Sequence, residues 1–139
     1  MNVSSPHFLK RHRKFAQLLC FISIFLPLAE SAWAGLPGSW TDADIGSPGS
    51  VGSAGYTNGG WTVTGGGGDI WGTADQFNYA STTLNGDGII IAKVTSLQNS
   101  DSATGWSKAG IMFRNDSSAG SANVSIVQSY GNGVSFQWR

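Results

Sequence analysis

Beyond residue 34 the apolar residues of this chain come in short runs, and within the runs they alternate with polar ones. Across residues 106–114, Ala109, Ile111 and Phe113 fall on one side of an extended backbone. Trp106, Lys108, Gly110, Met112 and Arg114 fall on the other. Val134, Phe136 and Trp138 alternate in the same way with Ser135, Gln137 and Arg139. A period of two marks a strand buried on one face. The side carrying Ala109, Ile111 and Phe113 therefore reads as core, and the side mixing aromatic, base and glycine as open or ligand-facing. No stretch carries apolar residues at helical spacing, and the strong helix formers Leu, Lys, Arg, Met and Glu are scarce after residue 34.

Runs of β-branched and aromatic residues bounded by Gly, Asn, Asp and Ser predict strands at residues 40–45, 60–64, 76–81, 88–97, 106–114, 122–130 and 134–139. Asn85-Gly86-Asp87-Gly88 supplies turn chemistry tolerant of positive φ, and Gly131-Asn132-Gly133 predicts a tight hairpin. Trp61, flanked by Gly60 and by alternating Thr62-Val63-Thr64, is expected in the core. Neither Lys-Ser/Thr nor a helical pattern follows the run of four glycines at residues 65–68, which argues against a phosphate-cradling loop. All 20 glycines lie beyond residue 34, among runs of Trp, Tyr, Phe, Ile and Val that can supply a core. That mixture points to a turn-rich β domain rather than a disordered tail.

The first 34 residues read differently. Lys10, Arg11, Arg13 and Lys14 precede an apolar run at residues 15–28, and Ala32-Trp33-Ala34 places small residues where signal peptidase reads them. The apolar run is shorter than the ~20 residues that span a bilayer, is broken by Pro27 and is closed by Glu30. Residues 1–34 are thus expected to be a secretory signal, with cleavage leaving a single domain over residues 35–139 in the periplasm or outside the cell. Cys20 lies inside the apolar run rather than at its boundary, so a lipid anchor is not expected.

This division empties the domain of most reactive groups. His7, His12, Cys20 and Glu30, the only His, Cys and Glu of the chain, all precede residue 35. Ser-His-Asp catalysis, zinc sites and disulfides are excluded for what remains. Seven Asp set against Lys93, Lys108, Arg114 and Arg139 give that part a net charge of −3. With bases so few and scattered, neither nucleic acid nor an anionic membrane is an expected partner. Calcium needs only oxygen ligands, so the composition leaves it open. Asn99, Asp101 and Thr104 resemble part of a calcium loop, but the bidentate acid and central Gly of an EF-hand are missing, and a solvated turn is the favoured reading. Asp42 and Asp44 form the one Asp-x-Asp pair after residue 34 and read as a strand end entering a loop, not as a catalytic dyad.

Three segments together carry a resemblance: Asp69-Ile70-Trp71-Gly72-Thr73-Ala74-Asp75-Gln76-Phe77; Gly86-Asp87-Gly88 leading into Ile91-Ala92-Lys93-Val94; and Trp106-Ser107-Lys108-Ala109-Gly110-Ile111-Met112-Phe113-Arg114. In this order they resemble bacterial secreted domains of the concanavalin A-like lectin/glucanase superfamily, and the likeness runs from about Leu36 to Arg139. The resemblance implies an all-β fold, an antiparallel jelly-roll β-sandwich, serving as an accessory module of large extracellular proteins that act on or bind polysaccharide. Hydrolytic members use a Glu-x-Asp-x-Glu strand, for which this part of the chain has no Glu, so a non-catalytic role is expected. A jelly roll needs about eight strands, and the alternating run continues to Arg139. The expectation is the front part of a longer domain, incomplete at its C-terminus, marginal in isolation and followed by further domains of a parent chain.

Carbohydrate binding needs no reactive group, since aromatic faces stack on pyranose rings while polar side chains hold hydroxyls. Trp71 with Asp69, and Trp106 with Lys108 and Arg114, are the expected binding residues, with a polysaccharide or glycan as partner. Two other classes remain: a structural or adhesive spacer in which the same Trp residues are buried, and the N-terminal fragment of a glycoside hydrolase whose catalytic residues lie beyond Arg139.

Overall fold

The computed structural model describes residues 35–98 and 104–139; the expected signal at residues 1–34 lies outside the described residues, as do Asn99 and Asp101. The regular structure in the described residues is all β: β1 (Thr41–Ile45), β2 (Ser53–Thr57), β3 (Gly60–Thr64), β4 (Phe77–Ser81), β5 (Lys108–Arg114), β6 (Asn123–Ser129) and β7 (Val134–Trp138). All pairing is antiparallel, in three small sheets: β1 with β4, β2 with β3, and β5–β6–β7 in that order.

Six of the predicted strands contain β1, β3, β4, β5, β6 and β7. The hairpin predicted at Gly131-Asn132-Gly133 joins β6 to β7, with Gly133 at φ +78° and the Ser129 N–H donating to the Gly133 carbonyl at 2.8 Å. β2 has no counterpart among the predictions, because Ser53-Ala54-Gly55 carries no apolar run. Its signal was the turn that follows. Asn58 and Gly59 both adopt positive φ, +52° and +82°, which is the two-residue hairpin geometry that Asn-Gly favours.

The strand predicted at residues 88–97 is a correction: none of those residues belongs to a strand. A β-branched run becomes a strand only when another backbone pairs with it, and no described segment does so here.

Layering follows from the two faces of β1 and β4. Ala43, Ile45, Phe77 and Tyr79 share one face, on which Ile45 is 1% exposed. This face meets β5: the Tyr79 hydroxyl donates to the Met112 carbonyl at 3.0 Å, and the Arg114 guanidinium lies 5.6 Å from the Phe77 ring centroid. On the opposite face, the Asp44 carboxylate accepts from the Gly52 N–H and the Asn78 amide, and Asp42 accepts from the Ala54 N–H. Asp42 and Asp44 thus fasten β2 beside β1, a structural use of that pair.

The covered side of β5–β6–β7 is therefore the one carrying Met112, Arg114, Ser125 and Val127, the reverse of the sequence expectation. The side with Ile111, Phe113, Val124, Ile126, Val134, Phe136 and Trp138 is largely open, Trp138 being 74% exposed. Alternation distinguishes two faces but cannot say which one is covered; that is decided by where the β1–β4 layer packs. Trp61 is a second correction. It packs at a tilt against Trp40 and Tyr56, with ring centroids at 4.7 and 5.1 Å, but remains 38% exposed on its hairpin. Among the described residues the buried hydrophobics are Ile45, Met112 and Val127, with Asp75, Ser121, Ser125 and Ser129 as buried polar neighbours.

Candidate functional site

The loop between β3 and β4 begins with the four glycines, which lie against the start of β4. A Cβ on Gly67, at φ +145°, would meet the Gln76 carbonyl oxygen at 2.0 Å, so only glycine fits. The Gln76 side-chain oxygen accepts from the Gly68 N–H at 3.0 Å, and the Gln76 N–H donates to the Asp69 carbonyl at 2.9 Å. The four glycines thus form a close-packed strip that presents Asp69 at its end.

Asp69 is met there by the first residue of β5. The Lys108 ammonium donates to Asp69 Oδ1, which also accepts from the Ile70 N–H at 2.7 Å. Lys108 lies 5.4 Å from the Trp106 ring centroid, within cation–π range, and its side chain is 10% exposed against 42% for Asp69. Alternation places Trp106 and Lys108 on one side of the strand, and 39 residues of chain separate Lys108 from Asp69. The fold thus gathers Trp106, Lys108 and Asp69 from two sequence segments. Trp71, two positions past Asp69, is 70% exposed, and Trp106 is 52% exposed. Asp69 Oδ2 has no partner among the described residues.

Arg114 is placed differently from the other expected site residues. Its side chain is 1% exposed and donates to Asp75 Oδ2 at 2.6 Å, to the Asp116 carbonyl at 3.0 Å and to the Ser118 carbonyl. Arg139 donates to both oxygens of the same carboxylate, at 2.9 and 2.5 Å, and to the Gly72 carbonyl at 3.0 Å. Asp75 is 0% exposed. Burial pushes its carboxyl upward, but hydrogen bonds from Arg139 and Arg114, with the charges behind them, outweigh that and hold it below the usual carboxylate range. Asp75 with its two arginines is a clasp that ties the Asp69–Trp71 loop to the ends of β5 and β7. Sequence reasoning missed it, since partners 39 and 64 residues apart leave no local pattern.

No cluster of three or more His, Cys, Asp or Glu positioned to hold a metal ion occurs among the described residues. Asp116 belongs to a turn in which Oδ1 accepts from the Ser118 hydroxyl and N–H, which with Asn115 lower its pKa to about 2. A groove of about 220 Å³ on the open side of β5–β6–β7 is lined by Ile90, Ile111, Phe113, Val124, Ile126 and Phe136, and offers little for a polar ligand to bond. No protein-family model matches this chain, and no curated protein or solved structure matches it either.

Proposed function

We propose that this chain is a secreted, non-catalytic β-sandwich module of the concanavalin A-like jelly-roll type that binds polysaccharide on the surface formed by Trp106, Lys108, Asp69 and Trp71. The observation that carries this reading is the ion pair of Lys108 and Asp69 beside the half-exposed Trp106 ring. The indole supplies a face for the apolar side of a pyranose ring. Asp69 Oδ2 offers an acceptor, and the largely enclosed Lys108 ammonium holds that carboxylate beside the ring. Because each charge is already compensated by the other, the surface suits a neutral polyol better than an ion. Arg114, enclosed by Asp75 and two carbonyls, acts in this reading as a positioning residue and makes no contact with the sugar. Residues 1–34 direct secretion and leave on cleavage.

The exposure of Trp71 and Trp106 favours this reading over a spacer, in which both rings would be covered. Polysaccharide pull-down and a glycan array test it. Retention should weaken about tenfold in Trp106→Ala and in Trp71→Ala, as loss of a stacking ring predicts, with the circular dichroism spectrum unchanged. Absence of retention on every polysaccharide by the folded chain would overturn the proposal.

A further inference from the structure

We infer that residues 87–93 form a self-recognition strand, which pairs antiparallel with the same segment of a second copy of this chain. From Thr83 to Gln98 no residue belongs to a strand, and none makes a hydrogen bond to another described residue. Such a stretch of free N–H and C=O groups is a template for strand addition. The side chains suit that use. Ile89 and Ile91 are 89% and 88% exposed, whereas Ile90 between them is partly covered and lines the groove over β5–β6–β7. Within the triplet, the middle side chain thus turns toward the protein and the outer two toward solvent. Gly88-Ile89-Ile90-Ile91-Ala92-Lys93-Val94 has high β propensity and no Pro.

Charge identifies the occupant and the register. Asp87 and Lys93 flank the isoleucines, are exposed, and have no ion-pair partner among the described residues. In an antiparallel pair centred on Ile90, Asp87 of each copy faces Lys93 of the other, and Ile89 of each faces Ile91 of the other. The arrangement is isologous, so both charge pairs form at once. Parallel in-register pairing would instead set Lys93 against Lys93 and Asp87 against Asp87, which opposes association. A second copy of this segment thus supplies charge and apolar complementarity together.

Sedimentation equilibrium of the purified chain, from about 1 μM to about 1 mM, should show reversible association to a dimer. Asp87→Lys alone and Lys93→Asp alone each turn two attractive contacts into two repulsive ones and should weaken the dimer about tenfold. An equimolar mixture of these two variants restores opposite charges across the pair and should recover association as a heterodimer. That recovery requires both variants to be folded, so a folding defect is not read as loss of the pair. A monomer at every concentration, a dimer insensitive to either single change, or a mixture that fails to recover would each overturn the inference. So would dimerisation abolished by Phe136→Ser alone, which would assign the contact to the open sheet face.

Discussion

Asp75 illustrates how one side chain can hold a loop that local sequence does not order. It is fully buried, accepts from two guanidinium groups, and lies between Gly72, whose carbonyl Arg139 also binds, and the start of β4. Asp75→Asn would leave both arginines without a counter-charge inside the fold, a change that costs about 3 kcal/mol. Urea unfolding at neutral pH should show that loss. The pH dependence has a defined sign. Because the folded-state pKa of Asp75 is lowered, its contribution is complete above the ordinary Asp value near ~4 and fades as pH falls through the lowered folded value. Asp116, lowered to about 2, acts in the same direction. Stability should therefore drop from about pH 4 downward, and Asp75→Asn should flatten that drop. Of the expected binding residues, the pairing of Trp106 with Lys108 was legible in strand alternation, whereas Asp69 reaching Lys108 depends on how the glycine strip packs. Arg114 looked available because a base between apolar positions resembles an open face; its burial depends on a partner 39 residues away.

Among the elements, β1 and β2 show carboxylates used as staples. Asp44 holds the Gly52 N–H at 3.1 and 3.0 Å through its two oxygens, and Asp42 holds Ala54 at 2.9 Å. Asp44→Ala should release the β2–β3 hairpin, with a cost of about 1–3 kcal/mol for the donors left unpaired. Hydrogen exchange should then lose protection at Gly52 and within β2 before it does so in β6. A result in which all strands lose protection together would mean the hairpin is not separately fastened. Strand existence was readable wherever β-branched or aromatic residues alternate, as in β5 to β7. It failed in opposite ways at β2 and at residues 88–97. β2 is poor in apolar residues yet is held by an Asn-Gly turn and two carboxylates; residues 88–97 are rich in β formers yet no described strand pairs with them. Propensity describes what a segment can do, and pairing depends on what lies beside it.

Taken as a whole molecule, the described residues form a thin structure: the β1–β4 layer covers one side of β5–β6–β7, and Phe113, Ile126, Val134, Phe136 and Trp138 remain between 39% and 74% exposed on the other. So much apolar surface without a second layer predicts low stability and a tendency to associate. Tryptophan emission reports it directly. With Trp71, Trp106 and Trp138 all more than half exposed, the emission of the folded chain should be red-shifted and readily quenched by acrylamide. Blue-shifted, quencher-resistant emission would mean that this surface and the Trp71 and Trp106 rings are covered. The all-β class, the absence of helical periodicity, the β6–β7 hairpin and the poverty of reactive groups could all be read from the amino-acid order, because each depends on residue type or on neighbours within a few positions. Which side of the β5–β6–β7 sheet is covered, where Arg114 points, that Asp75 binds two arginines, and that residues 88–97 stay unpaired were settled only by tertiary contacts. A period of two is symmetric between faces, and an ion pair across 64 residues leaves no trace in the chain between its partners.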